Sequence, residues 1–460
     1  MNRIGIITTL SLLLFACGGE GNGSPGSSPP ISNPAPSPSP SPSPSPSPTP
    51  SPPPPATAEG WKVEYLHIFG LFAGAPTQPA GPLMQASDNN IYGITLSGGR
   101  YDCGGGNQGC GSIYKYDGDG ISVIRQFNPD DEGGYWPSGG VIEGTDGMLY
   151  GLTYFGGTGG GGVAYRVAKN GADFQILHNF GVNDAGGSKP QGELVEASDG
   201  YFYGVTAEGG SNICPQIPFS YPNCGTVFKI SRNGNFETLY SFGKSVSDGV
   251  QPNGTLLLAS NGSLYGTTSM GGTNSCSSPN SCGTFFKVTL DGSVTVLYSF
   301  GASRDFPISP NGALIQAQDG YIYGTSLSGG PCGCGTVYRM SLDGEFAKVF
   351  DFPDDPLSIE GGGPRAIVEG DDGNFYGPTS AGGLYENSGI GGTLYRLSKD
   401  GEATVLHSFG PMDQPHEPLG PLMKAADGSF YGVTRSNGEL GWQPPYAGAG
   451  TLYRLSRTTN

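Results

Sequence analysis

Short alternating runs broken by glycine dominate the chain from residue 61 onward. Residues 310–352 show the pattern cleanly: Pro310–Ile315, Asp319-Gly320, Tyr321–Thr325, a Gly-rich loop, Gly335–Met340, Asp343-Gly344 and Phe346–Phe352. The runs are short and rich in β-branched and aromatic side chains, which predicts strands. Asp-Gly between two runs supplies the positive φ angles of a tight hairpin turn, so the first run pairs with the second and the third with the fourth. No amphipathic helical stretch interrupts them.

A Tyr-Gly pair marks each copy of this pattern, at Tyr92, Tyr150, Tyr203, Tyr265, Tyr323, Tyr376 and Tyr431, with spacings of 58, 53, 62, 58, 53 and 55 residues. Four antiparallel strands in a repeat of this length predict a propeller blade, and seven copies predict an all-β, seven-bladed β-propeller. The fourth run ends in an aromatic at Phe127, Phe180, Phe242, Phe300, Phe352 and Phe409. The seventh copy stops after its third run, Gly450–Leu455, while Tyr65–Phe69, preceded by Trp61-Lys62-Val63, stands before the first copy and matches the pattern of Val405–Phe409. The expected arrangement is a closed ring in which residues 61–69 complete the last blade and cover its sheet edge. An open solenoid would leave that run without a partner.

Pro-x-Gly-x-Leu, Asp-Gly-x-x-Tyr-Gly-x-Thr-x-x-Gly-Gly, Cys-Gly-Thr-Val-Phe-Lys and Val-Leu-Tyr-Ser-Phe recur in fixed order through residues 61–455. Together they resemble the GloVer tandem repeat of choice-of-anchor bacterial surface proteins. The resemblance implies a propeller displayed at the cell surface through an anchor, and it implies no known reaction.

The N-terminus changes the picture from a propeller to a tethered one. Arg3 precedes the apolar run Ile4–Leu14, and Leu14-Phe15-Ala16-Cys17 follows. Residues 1–16 read as a signal peptide, too short to span a bilayer. The segment resembles the bacterial lipobox, so Cys17 is expected to carry the lipid that holds the chain to a membrane; the other reading makes Cys17 an ordinary residue of a signal peptide cut by the general peptidase. Residues 17–60 form the linker, with 16 prolines between positions 24 and 55, mostly in Ser-Pro repeats. Such a segment packs no core and extends as polyproline II, roughly 100 Å at about 3.1 Å per residue. Gly18 in place of an Asp after Cys17 points to the outer membrane or cell surface. Residues 61–460 are then the propeller.

Composition excludes one class of partner. The formal net charge of −17 repels a phosphate backbone, so nucleic acid is not expected to bind. No nucleophile elbow, zinc-protease helix, phosphate loop or dinucleotide fingerprint occurs, and no cofactor is expected.

Apart from Cys17, the cysteines form four local pairs, Cys103 with Cys110, Cys214 with Cys224, Cys276 with Cys282 and Cys332 with Cys334, each between the second and third runs of one copy. Outside the cytosol such pairs read as disulfides that fix loop shape, and metal binding is disfavoured. The shortest, Cys332-Gly333-Cys334, has a redox-active pair as its other reading. His67, His178 and His407 fill the position held by Tyr240 and Tyr298 in other copies, and His416 falls in a Pro-flanked loop, where solvation is expected. Each third run carries one basic residue (Lys115, Arg166, Lys229, Lys287, Arg339, Arg396, Arg454), expected to face out of the core or to meet a carboxylate of a neighbouring blade.

The tight turns crowd one face of the ring, and the long, variable loops share the other, where recognition belongs. That face is expected to present Tyr135, Trp136, Trp442 and Tyr446 beside Asp130 and Asp131, with Tyr101, Phe219, Tyr221 and Tyr385 nearby. Aromatic rings and a few carboxylates suit carbohydrate or peptide binding. The Asp130-Asp131-Glu132 run could hold calcium, with a solvated turn as the favoured reading. The expected function is a monomeric, non-catalytic surface module for an extracellular polymer or protein partner. The alternative is a polysaccharide hydrolase or lyase using loop carboxylates such as Asp131 and Glu132.

Overall fold

The computed structural model describes residues 57–71, 74–103, 109–130, 132–182, 184–212, 214, 224–245, 247–274, 282–303, 305–353, 361–384, 391–410, 415–436 and 450–458. Residues 1–56, with the expected signal peptide, Cys17 and the Pro/Ser-rich segment, lie outside them. Among the described residues every regular element is a strand.

The strands fall into seven antiparallel sheets in chain order. The chain enters on β1 (Trp61–Ile68). Blade one is β2 (Pro76–Gln85), β3 (Ile91–Gly98), β4 (Ser112–Tyr116) and β5 (Ile121–Gln126); blade two is β6 (Tyr135–Glu143), β7 (Leu149–Phe155), β8 (Gly160–Val167) and β9 (Gln175–Gly181). Blade three is β10 (Ser188–Glu196), β11 (Phe202–Glu208), β12 (Thr226–Ile230) and β13 (Phe236–Ser241); blade four is β14 (Gly249–Leu258), β15 (Leu264–Gly271), β16 (Thr284–Val288) and β17 (Val294–Ser299). Blade five is β18 (Ile308–Gln316), β19 (Ile322–Ser328), β20 (Thr336–Met340) and β21 (Phe346–Asp351). Blade six splits its first strand into β22 (Gly362–Pro364) and β23 (Val368–Glu369), followed by β24 (Phe375–Ala381), β25 (Thr393–Leu397) and β26 (Ala403–Ser408). Blade seven is β27 (His416–Lys424), β28 (Phe430–Ser436) and β29 (Thr451–Arg457), and its fourth strand is β1, paired antiparallel from Trp61 opposite Arg457 to Ile68 opposite Thr451. The ring is closed by the two ends of the propeller sequence.

The recurring motifs hold each blade together. In the first turn an Asp or Asn accepts the N–H two residues on and bonds the Tyr of Tyr-Gly: Tyr150 donates to Asp146 Oδ2 at 2.7 Å, Tyr203 to Asp199 Oδ2 at 2.7 Å and Tyr323 to Asp319 Oδ2 at 2.7 Å. The Gly after that Tyr makes room for the aromatic of the third strand, which crosses over it. A methyl group on Gly151 would meet Tyr165 OH at 2.3 Å. The core lies between blades rather than within them. Tyr203 and Val227 of blade three, for example, pack with Leu264 and Phe286 of blade four in one buried cluster.

One expectation is corrected and another is narrowed to the first of its two alternatives. His416 is 2% exposed, not solvated. The first strand of blade seven begins there, two residues before Pro418, so the residue belongs to the sheet and not to a loop. The basic residues of the third strands do lean out of the core, but their partners lie in their own blade: Lys229 pairs with Glu237 at 3.0 Å, Arg166 bonds Gln175 at 2.8 Å and Arg454 pairs with Asp427 at 2.7 Å. Gln175 and Glu237 lie on the fourth strands beside them, and Asp427 lies in the first turn of its own blade.

Candidate functional site

The first strands of adjacent blades meet around the axis. Each bulges at the Gly of Pro-x-Gly, where Gly81, Gly139, Gly192, Gly254 and Gly420 all hold φ between 69° and 73°. A methyl group on Gly81 would lie 1.9 Å from the Gly139 carbonyl oxygen, one on Gly139 2.1 Å from that of Gly192, and one on Gly192 2.3 Å from the Gly254 carbonyl carbon. Backbone therefore packs on backbone at these interfaces, with no room for a side chain at Gly81, Gly139 or Gly192.

Three residues upstream, at the mouth on the loop face, lies a second ring. Gln78, Trp136, Lys189, Gln251, Ser309 and Glu417 all have φ between 53° and 56°, and the blade-six equivalent is Gly363. Each precedes the Pro of its motif. Extended backbone is the ordinary state of a residue before proline, so the left-handed conformation here is imposed by the surroundings. The restraint is visible: the N–H groups of Trp136, Gln251, Ser309, Gly363 and Glu417 donate to the carbonyls of Cys110, Cys224, Cys282, Cys334 and Gly391 in the preceding blades, at 2.8–3.2 Å.

That contact gives the cysteines a role. Cys103–Cys110, Cys214–Cys224 and Cys332–Cys334 are disulfides, with Cα–Cα distances of 5.2, 5.4 and 5.3 Å. Cys282 is also disulfide-bonded, while Cys276 lies outside the described residues. The later cysteine of each pair is the one whose carbonyl grips the next blade's mouth residue. The bridges thus pin the loops to the axial ring.

Aromatic side chains gather beside the mouth at blade two. Trp136 packs on Phe155 at 5.5 Å between ring centroids, Tyr135 stacks on Phe155 at 5.8 Å and Tyr154 meets Phe155 at 4.7 Å. Lys189 of blade three reaches over Tyr154 and Phe155 at 5.8 and 5.7 Å and pairs with Glu208 at 2.7 Å. Tyr135, Trp136, Tyr154 and Phe155 are all half-buried, leaving ring surface open on the loop face. Across the ring, Glu417 approaches Arg435 at 3.6 Å. Burial lowers the Arg365 guanidinium from its ordinary value, and Glu417 opposes that effect. No group of three His, Cys, Asp or Glu side chains among the described residues is placed to hold a metal.

Of the residues singled out from sequence, Tyr135 and Trp136 stand at this mouth. Asp130 is an exposed turn residue whose N–H donates to Asn128 Oδ1 at 3.0 Å. Asp131, Trp442 and Tyr446, like Phe219, Tyr221 and Tyr385, lie outside the described residues. Sequence reading passed over Gln78, Tyr154, Lys189, Gln251 and Glu417. A signal for the ring was there: the residue before the Pro of Pro-x-Gly differs in almost every copy while the motif around it stays fixed. The histidines are structural, His407 most clearly. It is 2% exposed, its Nδ1 lies 2.8 Å from Thr57 Oγ1 and its Nε2 lies 3.4 Å from Tyr65 OH.

A model of the Gloeobacter/Verrucomicrobia repeat matches residues 56–278 and 272–460. No curated protein matches the chain. Among solved structures, the extracellular domain of a hybrid two-component system from B. thetaiotaomicron superposes with a TM-score of 0.50 at 12% identity, over 86% of this chain and 41% of that one. An oligogalacturonate lyase in complex with manganese gives 0.48 at 12% identity, over 84% and 99%. A gluconolactonase from Xanthomonas campestris gives 0.42 at 11% identity, over 88% and 91%. Likeness at this level of identity speaks to fold alone.

Proposed function

The chain belongs to the Gloeobacter/Verrucomicrobia repeat family, and on that premise we propose that it is a surface binding module that takes an extracellular polysaccharide at the axial mouth of its loop face. The observation that carries this reading is the ring of six non-glycine residues held in the left-handed region. Such a conformation costs on the order of 1 kcal/mol or more at each position, and strain of this kind collects where side chains are held for a ligand. Glycine would remove the strain, as it does at Gly363, yet the other six blades keep Gln, Trp, Lys, Gln, Ser and Glu.

Their chemistry suits a sugar polymer. The rings of Trp136 and Tyr154 offer flat apolar faces for sugar C–H groups, and Gln78, Gln251 and Ser309 offer donors and acceptors for hydroxyls. The nearby carboxylates of Glu208 and Glu417 are paired with Lys189 and Arg435, which favours holding a ligand over acid–base work on it. Tethered through a lipid on Cys17, the propeller would meet such a polymer at the cell surface.

The test is an array of polysaccharides and peptidoglycan fragments probed with the purified protein, each retained ligand being checked by mass. Intact retained polymer is expected. Shortened products would replace this reading with that of a hydrolase or lyase. Replacing Cys17 by Ala is expected to move the protein from the membrane to the soluble fraction, and unchanged membrane association would remove the lipid anchor from the account.

A further inference from the structure

At three blade interfaces a phenylalanine at the start of the fourth strand covers a side chain of the preceding blade, and between blades three and four it does not. Phe174 lies under the Arg125 guanidinium at 3.4 Å, Phe236 stacks on His178 at 3.7 Å and 3°, and Phe346 stacks on Tyr298 at 4.8 Å and 9°. Phe236 and Phe346 stand opposite Ile230 and Met340, and the residue in that register in blade four is Val294, opposite Val288. The residue of blade three equivalent to His178 and Tyr298 is Tyr240. Its only ring neighbour among the described residues is Phe242 of its own blade. Where the other interfaces place a phenylalanine, a cavity of about 340 Å³ opens here, lined by Tyr240, Lys244, Asp248, Thr273, Val294 and Val296 among others. That is the size of a small-ligand pocket, about 300–1,000 Å³. Blades one, six and seven carry Ile121, Ala403 and Val63 in this register, but the blades before them offer His67, Phe350 and His407 in place of a tyrosine.

The polar groups of the cavity are arranged for a charged ring. Tyr240 OH donates to Asp248 Oδ2 at 3.0 Å, which fixes the tyrosine ring. The same carboxylate accepts the N–H groups of Lys244 and Gly249 at 3.0 and 2.9 Å, so its lone pairs are engaged within the chain. Lys244 differs: its ammonium lies over the Tyr240 ring at 3.9 Å and enters no ion pair among the described residues. We propose that the cavity between blades three and four binds an aromatic ring carrying a carboxylate. The ring takes the place that Phe236 and Phe346 hold at their interfaces, stacked on Tyr240 and resting on Val294, and the carboxylate meets the Lys244 ammonium. A free aromatic acid and the C-terminal aromatic residue of a peptide share this chemistry. The site lies on the outer strands and is independent of the polymer proposed for the axial mouth.

Saturation-transfer NMR of the full-length protein with 3-phenylpropionate and with N-acetyl-glycyl-phenylalanine tests this, the tighter of the two identifying the source. A Kd of about 1 mM is expected for a ligand as small as the first. Val294→Phe supplies the missing ring from within the chain, so it is expected to abolish the transfer while the melting temperature is retained or raised. Lys244→Gln, on an exposed loop, is expected to weaken binding about threefold and to leave the melt unchanged. Two results would overturn the site: no saturation transfer to either probe at about 10 mM, or equal binding by wild type and Val294→Phe. Should Val294→Phe not fold, equal binding by Lys244→Gln would overturn it.

Discussion

The hydroxyls of this repeat divide into two kinds. Tyr150 OH donates to Asp146, an ionic acceptor at 2.7 Å, and desolvation first, then Asp146, pushes the phenol up to about 12. Tyr338 OH is buried over Gly324 without a partner, at a position where blades three and four carry Phe228 and Phe286. Tyr150→Phe is therefore expected to destabilise the fold by about 1–2 kcal/mol, and Tyr338→Phe to leave it unchanged or stabilise it by up to about 1 kcal/mol, in denaturant titrations. Equal losses would show that the hydroxyl partners do not matter. His407 gives a pH signature. Burial pulls its imidazole down to about 4, below its unfolded value, so the stability it lends is present above about pH 6.5 and falls as pH drops toward 4. The expected loss over that window is roughly 3 kcal/mol, and it should vanish in His407→Gln. A variant with the wild-type slope would place the effect elsewhere. The Tyr-Gly and Asp-Gly pairs were plain in the sequence because they are chemically constant. The buried state of His416 was not, because the residue lies two positions ahead of a proline and reads as loop.

At the scale of the strand, periodicity revealed nearly every element, and the start of each first strand was its weak point. A residue before proline is biased toward extended backbone, and nothing local announces that six of them are turned left-handed, four of these (Trp136, Gln251, Ser309 and Glu417) with an N–H bonded to a carbonyl of the preceding blade. The two rings on these strands should respond oppositely to a single methylene or more. Gly192→Ala sets a Cβ against the Gly254 backbone in an already left-handed residue, and a loss above about 3 kcal/mol is expected. Gln251→Gly relieves a strained position while keeping the backbone carbonyl that Ser269 bonds at 3.2 Å, and a gain of about 0.5–1 kcal/mol is expected. Thermal melts of the two variants would decide it, and a destabilised Gln251→Gly would mean that the mouth ring is not strained.

For the whole molecule, closure was legible because a strand was missing at one end and surplus at the other. Removing residues 61–69 strips β1 from β29 and should lower the melting temperature cooperatively; an unchanged melt would mean that the seam contributes nothing. The site was less legible, since the mouth assembles one residue from each of seven copies that are about 55 positions apart, and only the ring geometry reveals them as neighbours. Staples between blades support that geometry on the opposite face, where Glu143 accepts from Ser87 and Glu196 from Thr145 across successive interfaces. On the proposed reading, function rests on the mouth more than on any single blade. Its most direct test is calorimetric affinity for a polysaccharide retained in the array, compared between wild type and Trp136→Gly, with the fold of each checked by melting. Affinity at least tenfold weaker in a folded variant is the expected result, and equal affinity would contradict the assignment of the ligand to the axial mouth.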